Sequence, residues 1–269
     1  MSTGSGRQCA FCGQRANSRE HVFPKSWKKL FPWRPVVQTY YRSTADGKGE
    51  IRPEPTFEMK VRRVCQDCNG GWMRRLDNAV EPWVVAMQTE PFVVVLGEDA
   101  QEFRRWAVKI AMMRLMVDAD PTVPAGEHHA LRSGTVPPGW YVWVGRTDEP
   151  SLLHGVSGWG APLRDDPTTL LGVKQVSWCL GTAVVVVIRQ YIPPHPPWPE
   201  SLKTFVDIFQ QSVLDEGHSL IRTFDAEVPI VLDRTTPVVP AEKLPAMFWF
   251  NDPNNYPGML TPQEPDPIS

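Results

Sequence analysis

No stretch of the sequence approaches the roughly 20 consecutive apolar residues that a membrane-crossing helix needs, and no such helix is expected. Residues 1–8 lack the apolar run of a secretory leader. No internal repeat is found. Histidine is scarce, with six in the chain and none between positions 22 and 127. Cysteine is scarcer still, at five. The expectation from these absences is a cytoplasmic protein with no membrane partner. In a reducing compartment, paired cysteines favour zinc over disulfides.

Proline and tryptophan, in contrast, are plentiful, at 28 and 11, and suggest a loop-rich chain outside its helices. The length of 269 residues suffices for one large or two modest domains with a buried core. A formal net charge of −2 conceals an asymmetry. Residues 1–80 carry fifteen Lys/Arg against seven Asp/Glu, a net of +8, whereas the remainder carries thirteen against twenty-three, a net of −10. A basic segment suits a polyanionic partner. Charge alone equally fits a solvated surface.

Four of the five cysteines form two Cys-x-x-Cys pairs, Cys9/Cys12 and Cys65/Cys68, with Gly13 available for a turn after the first. Two such pairs can close a tetrahedral zinc shell even when far apart in sequence. Since all four ligands come from protein, that zinc is expected to be structural and to stabilise a segment too irregular to fold by itself. Between the pairs stands Glu20-His21-Val22-Phe23-Pro24. Neighbouring residues on a strand point to opposite faces, so Glu20 and His21 can address one site only where the chain twists.

The periodicities place these motifs on elements. Lys25 to Phe31 reads as a short basic helix with Trp27, Leu30 and Phe31 on one side. Strand formers at 36–41, a turn at Asp46–Gly49 and an alternating run from Phe57 to Val64 read as a hairpin whose second strand delivers Cys65. After Asn69-Gly70-Gly71, the recurrence of Trp72, Leu76 and Val80 is helical, with a break or kink expected at Pro82. Residues 92–96 read as a short strand. Residues 99–118 read as a long core helix whose Arg104, Arg105, Lys109 and Arg114 form a wet side. Residues 119–139 read as a linker or loop with His128 and His129 exposed. A strand is expected at 141–145, and a buried hairpin at 173–188 turning at Gly181-Thr182, with Cys179 a core thiol. An extended proline run at 193–199 containing His195, a short helix at 201–210, a strand at 224–232 and an irregular tail from Asp252 complete the chain.

Cys-x-x-Cys, then Glu-His-x-x-Pro, then Cys-x-x-Cys-Asn opening a helix resembles the HNH, or ββα-metal, endonuclease superfamily. The asparagine directly after the last cysteine resembles the phage recombination endonuclease VII group. Cys68-Asn69-Gly70-Gly71-Trp72-Met73 is similar to a Cys-Asn-x-Gly-Trp-Met signature of HNH-like proteins. The resemblance covers roughly residues 7–90. It implies a zinc-stabilised ββα-metal (treble-clef-like) domain over 1–95; the residue patterns beyond it read as a helix and a β-rich C-terminal domain over 96–269 of unassigned role, so the chain is expected to be α+β. The resemblance further implies a metal-dependent endonuclease hydrolysing phosphodiester bonds in DNA, with RNA also compatible and a homodimer allowed. His21 would be the general base; Glu20 and Asn69 would hold a catalytic Mg²⁺ or Mn²⁺; Cys9, Cys12, Cys65 and Cys68 would hold Zn²⁺.

Two features depart from the family pattern. Many members supply a histidine eight or nine positions after the asparagine, where this chain has Asp77 and Asn78. Asp77 reads either as an extra ligand or, preferably, as charge on the helix surface. The 43 residues between His21 and Cys65 are a longer insertion than in compact members, and Arg42, Lys48, Arg52, Lys60, Arg62 and Arg63 there read either as DNA contacts or as a solvated hairpin. The reading from another class is a catalytically inactive, zinc-stabilised nucleic-acid-binding or adaptor module.

Overall fold

The structure, a computed structural model, describes residues 7–31, 39–43, 49–53, 55–118, 123–162, 170–191, 221–223, 229–233, 238–239, 241 and 244. The first knuckle is closed by backbone bonds: Gly13 N donates to Cys9 O at 2.9 Å, and Ala16 N to Arg7 O at 2.7 Å. Gly13 has φ +74°, a left-handed conformation that its missing Cβ permits. Strand β1 (Glu20–His21) follows, then a 3₁₀ turn over Lys25–Leu30, which buries Trp27. Strands β2 (Thr39–Ser43) and β3 (Gly49–Pro53) pair antiparallel. A second 3₁₀ turn over Thr56–Glu58 leads to β4 (Lys60–Val61), which pairs antiparallel with β1. The hairpin between the knuckles therefore closes with β3. The alternating run from Phe57 is instead a 3₁₀ turn and a two-residue strand, because Phe57 and Met59 turn into the core rather than joining a long ladder.

The chain then becomes helical. A turn α1 (Gln66–Cys68) and a π-helical turn over Asn69–Met73 precede α2 (Arg74–Thr89). Helix α2 continues through Pro82. That proline and Asn78, whose carbonyl loses its helical bond, both lie on the exposed side of the helix. Leu76, Val80, Val84 and Met87 form the buried stripe. After β5 (Val93–Val95) comes α3 (Gly97–Val117), the central helix. Its expected wet side is not wet: Arg104, Lys109 and Arg114 are buried. The helix is enclosed on both faces, and Arg114 pairs with Asp118 one turn on at 3.2 Å.

Helix α4 (Ala125–Ser133) occupies what reads in sequence as a linker, and it ends on Gly134 at φ +110°. Its Glu127 accepts two bonds from the Arg189 guanidinium at 2.6 and 2.8 Å and one from Trp140 Nε1 at 2.6 Å. Three donors on one carboxylate fix α4 to the sheet beneath it. That sheet is built on β6 (Trp140–Pro162) and β7 (Leu170–Tyr191), paired antiparallel from Trp140↔Arg189 to Pro162↔Leu170. Gly181 is not a hairpin turn. It lies where the register shifts between Arg146 and Ser151, at φ +69°, packed so closely on Gln88 that a Cβ would collide with that side chain. A bulge there bends one long strand. Cys179 is a buried core thiol, as read from the sequence.

Strands β8 (Ile221–Thr223) and β10 (Val238–Val239) also pair with β6, and β9 (Ile230–Leu232) pairs with β5. Strand β2 pairs in parallel with β6, so main-chain bonds join the segment between the knuckles to the C-terminal sheet. The chain is α+β. Aromatic rings link its layers: Trp106 of α3 meets Trp27 at 5.5 Å and Trp178 of β7 at 5.8 Å, and Phe23 meets Trp178 at 5.9 Å. No helix among the described residues is long and apolar enough to cross a membrane. The proline run with His195, the helix expected at 201–210, residues 224–228 and the tail from Asp252 lie outside the described residues.

His128, expected in an exposed loop, is buried on α4. Its ring stands edge-on to Phe11 at 5.2 Å and its Nδ1 bonds Pro124 O at 3.1 Å. Burial pushes its pKa from 6.5 down to about 4, against the Pro124 bond. The unfolded chain therefore binds the extra proton first. Stability is fully present above pH 6.5 and declines as pH falls towards 4, by about 3 kcal/mol from this residue. Urea unfolding of wild type beside His128→Phe should show the variant losing less stability between pH 7 and pH 4.

Candidate metal centre and the adjoining polar site

The sulfurs of Cys9, Cys12, Cys65 and Cys68 all lie within 4.8 Å of one another. A tetrahedral zinc shell with Zn–S near 2.3 Å places its sulfurs about 3.8 Å apart. The Cys12–Cys65 separation of 3.5 Å is close to that value and far beyond a disulfide bond. Local structure delivers each thiol. Ala10 N donates to Arg63 O at 2.9 Å, which clips the first knuckle to the approach of the second. Cys68 N donates to Cys65 Sγ at 3.4 Å, and Asn69 N to Cys65 O at 3.0 Å, so the second knuckle is also the first turn of the helical segment. Burial raises the pKa of Cys68, and also that of Cys12. Cys65 is held below its ordinary value: burial acts upward, but the Cys68 N–H and the neighbouring thiols outweigh it. The cluster can hold a metal such as zinc, which would displace the thiol protons.

The same clip aligns β1 with the second knuckle. Ser18 donates to Val64 O from both its backbone N (3.2 Å) and its hydroxyl (3.1 Å), and Val22 N donates to Met59 O at 3.0 Å. Asn69 Nδ2 then reaches Ser18 Oγ at 3.4 Å. Glu20, only 9% exposed, lies close enough to the Asn69 side chain for that amide to act on its pKa. Burial raises the Glu20 pKa to about 7; Lys109 and Asn69 act against the rise and Asp77 adds to it.

His21 faces different neighbours. Burial lowers its pKa first, and Lys60, Lys25 and Lys28 add to this against Glu58, which favours the neutral imidazole. Its Nε2 is buried and has no hydrogen-bond partner among the described residues. The structure thus brings Glu20 and Asn69 together and sets His21 on the adjoining lysine-rich side. Asn78 is exposed.

Asp77 is not surface charge. It is 7% exposed and forms an ion pair and hydrogen bond with Lys109 of α3, which is 0% exposed. Burial raises the Asp77 pKa more than the ammonium lowers it. Lys109 is the residue that sequence reasoning missed. The signal was present: it is the single charge in Val108-Lys109-Ile110-Ala111-Met112-Met113, a setting that a solvent-facing lysine rarely has.

A cleft of about 750 Å³ opens beside the cysteine cluster, lined among others by Cys12, Cys68, Trp72, Arg75 and Arg132. Trp72 forms part of its wall, packed edge-on against Phe11 at 5.3 Å and covered by the Arg105 guanidinium at 5.1 Å. Arg105 also donates to Leu131 O and Arg132 O at 2.9 Å, satisfying carbonyls at the C-terminus of α4. No protein-family model matches the chain, and no curated protein or solved structure matches it.

Lys109→Met leaves the Asp77 carboxylate buried without its cation and should cost about 3 to 5 kcal/mol. Asp77→Leu/Lys109→Met should recover most of that loss. Urea midpoints of the two variants test the coupling, and equal losses would show that the pair is not coupled.

Proposed function

We propose that the chain is a metal-dependent endonuclease of the ββα-metal type, cutting phosphodiester bonds in DNA. The observation supporting this most directly is the proximity of the Glu20 and Asn69 side chains beside a four-cysteine cluster, with His21, its neutral form favoured, on the same short strand as Glu20. Strands β1 and β4 followed by the helical segment from Gln66 supply a ββα order. The cysteine cluster acts as a structural zinc site, since all its ligands are protein and three of the four are buried. Glu20 and Asn69 offer two oxygen ligands, which suit a hard cation such as Mg²⁺ or Mn²⁺. Such an ion, when bound, stabilises charge on the phosphate and on the leaving 3′-oxygen. His21 accepts the proton of the attacking water; its Nε2 has no protein hydrogen-bond partner among the described residues but is buried, so the strand must shift when substrate binds for water to reach it.

The enclosure of Glu20 favours a second reading, a zinc-stabilised nucleic-acid-binding module that does not cleave. With Glu20 9% exposed and the buried Lys109–Asp77 pair nearby, the polar cluster is satisfied within the protein.

Two experiments test these readings. Supercoiled plasmid incubated with Mg²⁺ or Mn²⁺ should be nicked by wild type, and His21→Ala should lower the rate by about 10²-fold or more. Absence of nicking by wild type selects the binding module. Elemental analysis should find zinc at one equivalent per chain, and Cys68→Ser should lose it together with a large drop in thermal midpoint, because metal binding and folding of this segment are coupled.

A further inference from the structure

Four arginines, Arg7, Arg15, Arg19 and Arg62, line one pocket of about 320 Å³ with Ser18 in its wall. All four are exposed, no carboxylate lines the pocket, and no ion pair among the described residues engages any of them. The backbone forces this crowding. The β1–β4 register pairs Glu20 with Val61 and His21 with Lys60, and one further step sets Arg19 opposite Arg62. On the other side, the Gln8↔Arg15 bridge and the bond from Ala16 N to Arg7 O bring Arg7 beside Arg15. Like charges directly opposite on paired strands cost stability. An anion shared between them reverses the sign of that interaction, and the planar guanidinium fork matches phosphate oxygens.

The surroundings favour a polymer over a single anion. Positive charge continues from the two strands through Lys60 to Lys25 on the following 3₁₀ turn, beside His21, while Lys28 there is paired with Glu58. Ser18 in the pocket wall accepts from Asn69 Nδ2, and Arg19 precedes Glu20, so the pocket adjoins the polar site.

We propose that the four-arginine pocket seats phosphates of a DNA backbone and leads the strand past Asn69 and His21. The inference rests on the nucleic-acid reading above and adds the residues that hold the strand. Arg7, Arg15, Arg19 and Arg62 are positioning residues; they fix register and carry no base information.

The test is fluorescence anisotropy of a short labelled duplex with His21→Ala protein without added Mg²⁺, across a range of NaCl concentrations. Adding Arg19→Gln/Arg62→Gln should weaken binding roughly tenfold and lower the slope of log K against log salt by about 0.9 for each phosphate no longer neutralised. The charge-matched control Arg74→Gln/Arg132→Gln, at exposed positions outside the pocket, should change the slope less. The single variants Arg19→Gln and Arg62→Gln should each give a partial effect, with zinc content and circular dichroism confirming the fold. An unchanged slope, an equal effect from the control, tighter binding of matched RNA, or displacement of the duplex by inorganic phosphate at constant ionic strength would each overturn the proposal. Pocket-dependent binding without plasmid nicking would retain this inference and remove the endonuclease reading. Nicking by wild type with pocket-independent binding would do the reverse.

Discussion

Four sulfurs gathered within 4.8 Å tie residues 9–12 to residues 65–68, and the Cys12–Cys65 contact spans 53 positions. The ends of that segment are also held by the Ala10–Arg63 backbone bond and by Phe11, buried against Trp72 and His128. Strands β1 and β4 have two residues each, and the first knuckle rests on a few backbone bonds. Two-stranded ribbons of this length are not stable alone in water. Once the knuckles meet, Ser18 reaches Val64, Asn69 reaches Ser18, and the β1 strand lies against the start of the helical segment. The polar site therefore adjoins the cysteine cluster through a run of direct contacts.

A second constraint comes from the C-terminal half. Lys109 of α3 is wholly buried against Asp77 of α2, and its charge also reaches Glu20. Two carboxylates, one amide and one ammonium share a dry environment, in which each partner is needed to keep the others from being stranded. Glu20, with a pKa near 7, stands at the balance between burial and that ammonium. The long helix thus sets the electrostatics of the site as well as filling the core. The site has two sides: an enclosed one at Glu20, Asn69, Asp77 and Lys109, and a basic one at His21, Lys60 and the arginine pocket.

Burial explains most departures from what the sequence suggests. Arg104, Lys109 and Arg114 fall off the apolar stripe of α3, but a helix covered on both faces has no wet side to give them. His128 follows a proline-rich stretch that looks like loop, yet Phe11 and the α4 backbone enclose it. Gly181-Thr182 has the composition of a turn. It stays within β7 because β6 pairs on both sides of it, Arg146 with Ala183 and Ser151 with Gly181, and the extra residues of the irregularity belong to β6.

The sequence by itself determined the knuckles and their common site, the helix after Asn69, the long helix near residue 100 and the α+β class. Each depends on short-range spacing, and such spacing survives any arrangement of the rest. It also showed the excess of positive charge in the first 80 residues, since composition needs no geometry. Only the tertiary structure decided that Asp77 faces Lys109 and not water, that Glu20 and His21 look to different neighbours, and that Arg62 joins Arg7, Arg15 and Arg19 in one pocket. Those outcomes depend on strand register and on which face of α3 meets α2, and both are fixed by packing between segments far apart in the chain.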